Sequence, residues 1–307
     1  MKNSLSKILV RCIILLSTIV FMIFIIINAN KELIPSQKYI VSDYKNVFLK
    51  SGIADVVIVG NSKALCSLSS SYFQQKINLV AYNFAYEAAN LEFIKSTLET
   101  YFNNCKVKPR YCFLEVSWFS FNVNRTVFPD DIPINLKLKN YRQIFSPNKP
   151  YTLAFKFAES LRMLFYRILG RQAAFKEHEG DSDRKFIPFS KIEMGKSFPN
   201  YSAGIDKQYL KDFYDIIDLC NNNNVKLMLY TSPEAPEYTY SQKDRLLVRQ
   251  EITGAAQKNK LDYLDFTVEG KYWDRSLYSN LADSHHVNNS RRFTEYFLQT
   301  LRSNNII

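Results

Sequence analysis

The feature that most constrains the fold is a short, uninterrupted apolar run, Val56, Val57, Ile58 and Val59, closed by Gly60. Side chains alternate between the two faces of a strand, so a strand that is apolar at every position must be covered on both. Parallel sheets sandwiched between helices meet that condition. Residues 79–84, 111–116, 225–230 and 261–266 repeat the pattern as candidate strands. Helical periodicity falls between them. Leu91, Ile94, Leu98 and Phe102 form one stripe within about 88–103, and Tyr209, Phe213, Ile216, Ile217 and Cys220 form another after Asp206. Residues 241–258 read as helix, and Phe293, Phe297 and Leu301 stripe a last helix over about 290–301. The alternation predicts an α/β fold, a three-layer α/β/α sandwich with a mainly parallel five-stranded sheet.

The N-terminal thirty residues stand apart. Lys2, Lys7 and Arg11 precede an almost wholly apolar run over 12–27. Counted from Ile8, the stretch reaches across a hydrocarbon core roughly 30 Å thick. The basic flank stays in the cytoplasm and places the remainder outside. Residues 1–30 are therefore expected to form a transmembrane anchor and residues 31–307 an outward-facing domain on the cell envelope or exterior. A cleaved signal peptide is the rival. Its apolar region is ordinarily shorter, and Ile27, Asn28, Ala29 and Asn30 make a poor small-residue cleavage site.

The chain has 307 residues, only 8 Gly and 10 Pro, and no Gly/Ser-rich or Pro-rich linker. A single domain is the simplest account. Its pattern lapses at an insertion over about 118–204. There Pro129, Pro133, Pro147 and Pro150 precede a basic amphipathic helix, with Leu153, Phe157, Leu161, Leu164, Phe165 and Ile168 among Lys156, Arg162, Arg167 and Arg171. That helix either packs as a plain insertion, covers a pocket as a lid, docks a membrane partner or rests on anionic lipid. The net charge of +11 serves solubility and also favours anionic lipid or glycan. Neither zinc-finger spacing nor an RNP-like motif is present, and the export signal argues further against nucleic acid. The five Cys show no recognisable pairing. Cys105 and Cys112 flank a turn and either bridge or remain reduced, half-buried thiols. With no Cys/His ligand cluster and no glycine-rich phosphate loop, neither a metal nor a cofactor is expected.

The chemistry-bearing residues lie at the two ends of this domain. A serine hydroxyl needs a base within hydrogen-bond reach, and the base needs an orienting acid. Ser62 follows a predicted strand in Gly60-Asn61-Ser62, and the chain has only three His: His178, His285 and His286. The last two follow closely on Asp283. Taken singly, Ser62 reads equally as a helix N-cap, Asp283 as a cap and the two His as loop residues. Their joint placement, after the first strand and just before the last helix, is what points to one site.

These residues resemble two blocks of the SGNH (GDSL-type) hydrolases. Residues 57–62, ending Gly60-Asn61-Ser62, are similar to the first block, and Asp283, His286 and Asn288 to the last. The resemblance implies Ser62 as nucleophile, His286 as general base and Asp283 as its orienting acid, on an SGNH/flavodoxin-like sandwich. His285 is the alternative base. In that family the oxyanion hole draws on the serine amide, a Gly after the second strand and an Asn after the third. Here Asn83 stands at the end of the second strand and Ala85 just after it, and Ser117 follows the third, with Asn122 beyond. Asn83, Ala85 and Ser117 are the candidates for oxyanion or substrate contacts, and Asn83 also reads as a turn residue.

The altered middle blocks, the anchor and the insertion resemble the membrane-anchored cell-envelope branch, DltD-like proteins and polysaccharide O-acetyltransferases. That implies an acyl-enzyme on Ser62, with an acylated glycan or small acyl ester as substrate and a membrane acyltransferase as partner. A general lipase or esterase, and a non-catalytic component of a polysaccharide export or modification system, are the other expectations.

Overall fold

The computed structural model describes residues 53–86, 89–121, 205–233, 245–267 and 287–307, with isolated positions before them. The chain divides into two units, Met1–Lys38 with Asp130–Lys176, and Tyr39–Pro129 with Glu177–Ile307. The sheet and its helices belong to the second.

Five strands, β1 (Val56–Val59), β2 (Ala81–Asn83), β3 (Tyr111–Glu115), β4 (Lys226–Thr231) and β5 (Asp262–Asp265), form one sheet in the order β2-β1-β3-β4-β5. Every pairing is parallel. The four residues of β1 are at most 1 % exposed, as a strand covered on both faces requires. Among the described residues six α-helices connect the strands or close the fold: α1 (Ser62–Ser67), α2 (Ser70–Ile77), α3 (Leu91–Asn104), α4 (Lys207–Asn222), α5 (Arg245–Asn259) and α6 (Val287–Ser303). A 3-10 turn, Trp118–Phe121, follows β3.

Periodicity located β1 to β5 and the helices α3 to α6 to within a few residues. The helices α1 and α2 were not anticipated. The first is only six residues long, and the second eight, too short for an apolar stripe to repeat over several turns. Ser69 is in fact a cap, its Oγ accepting from the Tyr72 amide at 3.3 Å. The last helix begins at Val287, slightly ahead of the expected start, on the residue after His286.

Helices α1 and α2 pack against α6. Between them and the sheet lies an apolar cluster that includes Val56, Ile58, Phe73, Phe113, Met228, Tyr230 and Phe297. The Phe297 ring is its hub, with ring centroids 5.2 Å from Tyr230, 5.4 Å from Phe113 and 5.8 Å from Phe266. Helix α3 packs against α4, and the 3-10 turn meets α4 and α5. Lys95 of α3 is buried, and its ammonium pairs with Asp212 and with Asp215 of α4, the latter at 3.1 Å. Burial alone would lower the Lys95 pKa, but the hydrogen bonds its ammonium donates to both carboxylates outweigh it and hold it above the ordinary value.

The expected choice at the cysteines is settled. Cys105 and Cys112 do not bridge; both thiols are free, and both are buried rather than half-buried. Cys112 instead hydrogen-bonds Cys220 of α4, and that bond together with burial pushes the Cys112 thiol pKa well up. The anchor segment, all but the first few residues of the 118–204 insertion with its basic helix, Asn122, and the residues Asp283, His285 and His286 lie outside the described residues.

Candidate functional site

Chain direction reverses at β1. From β1 the chain crosses to β2 on one side, then to β3 on the other. In open α/β sheets of this order, ligands bind outside the carboxyl ends of the strands at that reversal, here between β1 and β3. The register pairs Val59 with Leu114, so the stretches Gly60-Asn61-Ser62 and Glu115-Val116-Ser117 leave the sheet side by side at this point.

Gly60 makes the turn possible. Its φ is 155°, and a Cβ there would stand 2.6 Å from the Ala64 Cβ and 2.8 Å from the Glu115 Cβ. Only a residue without a side chain lets β1 end this close to both β3 and α1. Asn61 then caps α1: its Oδ1 accepts from the Lys63 amide at 2.8 Å, and its carbonyl accepts from the Leu65 amide at 3.0 Å. The cap is thus Asn61 and not Ser62. Ser62 is the first helical residue and is half-buried between buried Asn61 and Lys63. Its hydroxyl has no hydrogen-bond partner among the described residues. At this position its amide also lacks an intrahelical acceptor.

The candidates after β2 are engaged in holding the fold. Asn83 Nδ2 donates to the carbonyls of Ala64 at 3.2 Å and Leu68 at 3.0 Å, fastening the end of α1 to the sheet. Asn83 Oδ1 accepts from the Ala85 amide at 3.0 Å. Both residues are buried. Ser117, after β3, differs. Its amide donates to Ser120 Oγ at 3.1 Å and its carbonyl accepts from the Ser120 amide at 2.9 Å. Its own Oγ is buried and has no hydrogen-bond partner among the described residues. A buried hydroxyl left so is costly and is an available donor.

Beneath α1 the sheet carries an unusually polar layer. Glu115 is wholly buried and its Oε2 accepts from Asn61 Nδ2 at 3.2 Å. Ser232 Oγ donates to Ser67 Oγ at 3.1 Å. The Tyr230 hydroxyl lies among these groups, and its pKa is held well above the ordinary value by burial and by the Glu115 charge. Neighbouring Thr231 Oγ1 bonds the Val116 carbonyl at 2.6 Å and the Tyr263 hydroxyl at 2.9 Å. No signal in the local sequence marks these residues as one layer, because it is assembled from three strand ends far apart in the chain. Among the described residues no group of His, Cys, Asp and Glu is arranged to hold a metal ion.

Helix α6 starts at Val287 and packs on α1, with the Ser69 amide donating to Thr294 Oγ1 at 2.9 Å. Ser62 opens one of these two helices, and the Asp283-to-His286 stretch runs directly into the other.

No protein-family model matches the chain, and no curated protein matches it. Among the solved structures that resemble it distantly are two crystal structures. One, assigned as an acylhydrolase from Bacteroides fragilis NCTC 9343, has a TM-score of 0.44 at 10 % identity over 86 % of this chain and 95 % of its own. The other, a GDSL-like lipase from Bacteroides thetaiotaomicron VPI-5482, has a TM-score of 0.42 at 10 % identity over 86 % of this chain and 98 % of its own. Likenesses of this extent carry no functional argument.

Proposed function

We propose that the chain is a membrane-anchored, outward-facing acyl-ester enzyme of the SGNH kind. It acts on envelope or exported polysaccharide through Ser62, His286 and Asp283. The observation that carries this reading is the placement of Ser62. It heads α1 at the β1/β3 reversal, half-buried, with its hydroxyl uncommitted among the described residues. The partner helix α6, which begins on the residue after His286, packs on α1.

In this mechanism His286 takes the proton of the Ser62 hydroxyl as Oγ attacks the ester carbonyl. Asp283 holds the imidazole in the required tautomer. The tetrahedral intermediate collapses to an acyl-Ser62, and His286 returns the proton to the leaving alcohol. Water or a sugar hydroxyl then attacks the acyl-enzyme, again with His286 as base. Hydrolysis and transfer differ only in which hydroxyl is admitted, so a membrane acyltransferase as donor partner and an acylated glycan or small acyl ester as substrate fit the same site. The Ser62 amide and the Ser117 hydroxyl are the oxyanion donors of this reading. The Ala85 amide joins them only by leaving Asn83 Oδ1. Each such donor is worth about 2.7–4 kcal/mol of transition-state stabilisation.

Anchoring draws support from the N-terminal segment. Its described positions, Ile14, Ser17, Thr18 and Phe21, are helical, and Ile14 and Phe21 are 60 % and 62 % exposed. Among the described residues no helix is long and apolar enough to cross a membrane.

A non-catalytic role in polysaccharide export is favoured by one observation, the commitment of both Asn83 and Ala85 to structural hydrogen bonds. A fluorophosphonate probe separates the readings. Labelling of the detergent-solubilised protein that Ser62→Ala and His286→Ala each abolish is the expected result. A folded protein that takes up no probe favours the non-catalytic role. Release of acetyl groups from glycan, set against hydrolysis of p-nitrophenyl esters, then divides an envelope enzyme from a general lipase or esterase.

A further inference from the structure

We infer that Glu115 is a positioning residue for Ser62, acting through the side chain of Asn61; the inference rests on Ser62 being the nucleophile. Glu115 ends β3 and is 0 % exposed. A carboxylate taken wholly out of water is expensive unless its bonds repay the desolvation. This one accepts a hydrogen bond from Asn61 Nδ2 at 3.2 Å. The same Asn61 amide group accepts from the Lys63 amide through Oδ1 at 2.8 Å. Both ends of the Asn61 side chain are therefore used, one on β3 and one on the first turn of α1. Rotating the amide by half a turn would set Nδ2 against an N–H donor, so its orientation is determined.

Gly60 completes the arrangement. The Cβ it lacks would lie 2.8 Å from the Glu115 Cβ, so the missing side chain is what lets β3 approach closely enough for the carboxylate to reach Asn61. Gly60, Asn61 and Glu115 form one interlocked joint between β1, β3 and α1, and Ser62 is the next residue after it. Any freedom in the Asn61 cap passes directly to the Ser62 backbone. A misplacement of about 1 Å in a reacting group costs on the order of 100-fold in rate.

The role needs reach and an acceptor oxygen, and it does not need charge. Gln at 115 keeps both length and a carbonyl acceptor. Asp keeps the charge but withdraws the acceptor by one methylene. The expected result in fluorophosphonate labelling of the full-length protein is that Glu115→Gln stays within about threefold of wild type. Glu115→Asp and Asn61→Ala each fall by roughly 10–100-fold. The Glu115→Asp, Asn61→Ala double variant loses no more than either alone. Retention of the rate by Glu115→Asp with loss in Glu115→Gln would assign Glu115 an electrostatic role and overturn the inference. So would independent, additive losses in the double variant. If the wild type itself takes up no probe, the nucleophile reading fails separately. Amide exchange at Lys63 and Leu65 then decides the positioning claim: faster exchange in Glu115→Asp than in Glu115→Gln upholds it, and equal exchange in the two removes it.

Discussion

Gly60 shows how one residue sets the geometry of the whole site. Its absent Cβ would collide with side-chain carbons of both Ala64 and Glu115, and neither is the far end of a flexible chain. Gly60→Ala must therefore push α1 off the sheet or splay β1 from β3. Overpacking of this kind typically costs about 1–3 kcal/mol, and the strained φ adds to it. The expected outcome is a lower urea midpoint together with loss of Ser62 labelling. Ser62→Ala, which removes a hydroxyl with no partner among the described residues, should leave the midpoint nearly unchanged. Equal midpoints for Gly60→Ala and wild type would show that the joint yields more readily than the contacts imply. At this scale the sequence was partly legible. Gly60 and Ser62 stood out because the requirement for each is local. The Asn61–Glu115 bond did not, because its partners are 54 residues apart and meet only through strand register. The block at the end of β2 suggested contacts for Asn83 and Ala85; Asn83 fastens α1, and the Ala85 amide holds the Asn83 side chain.

The helices were legible wherever an apolar stripe repeated over several turns, as in α3, α4 and α6. Stripe and strand patterns do not record which polar groups the helices bury against each other. Lys95, Asp212 and Asp215 are such a case, joining α3 to α4 beneath a surface that also carries Lys211. Removing the ammonium strands the wholly buried Asp212, a loss of about 3–5 kcal/mol by comparison with other broken buried pairs. Lys95→Met should accordingly unfold at markedly lower urea, and Lys95→Met with Asp212→Leu should recover much of the difference. The pH dependence follows from the direction of each shift. The Lys95 pKa is raised above its ordinary 10.5, so its contribution is complete below that pH and is lost as pH rises through the folded value. For Asp215, burial opposes ionisation, but hydrogen bonds from Lys211 and Lys95 outweigh it and lower the pKa below the ordinary 3.8. Its contribution is complete above that pH and is lost as pH falls through the folded value. The stability gap between wild type and Lys95→Met should thus be widest between about pH 4 and pH 10 and shrink on both sides. A gap independent of pH in urea titrations would mean that packing, not pairing, holds α3 to α4.

Across the whole molecule the parallel sheet was the most legible feature, because covering both faces of a strand forces a continuous apolar run. The strand order was not legible, since a crossover can return on either side of β1 at the same sequence cost. That order matters most for function: it sets the ends of β1 and β3 side by side, and α6 packs on α1. The same sheet separates two edges. The carboxyl edge holds Ser62, and the amino edge is where the chain enters β1 at Val56. An apolar run over 12–27 with a basic flank precedes that entry in the sequence. If it spans the bilayer with Lys2, Lys7 and Arg11 inside, everything after it is exported. Alkaline phosphatase fused after Ile307 should then be active and a fluorescent protein fused there dark. The chain should also resist extraction by alkaline carbonate, and deletion of residues 2–30 should abolish phosphatase activity. A product that appears in the soluble exported fraction, shortened at its N-terminus, would identify the run as a cleaved signal. A fluorescent fusion with inactive phosphatase would reverse the orientation and exclude an exported glycan as the acceptor, because Ser62 would then face the cytoplasm.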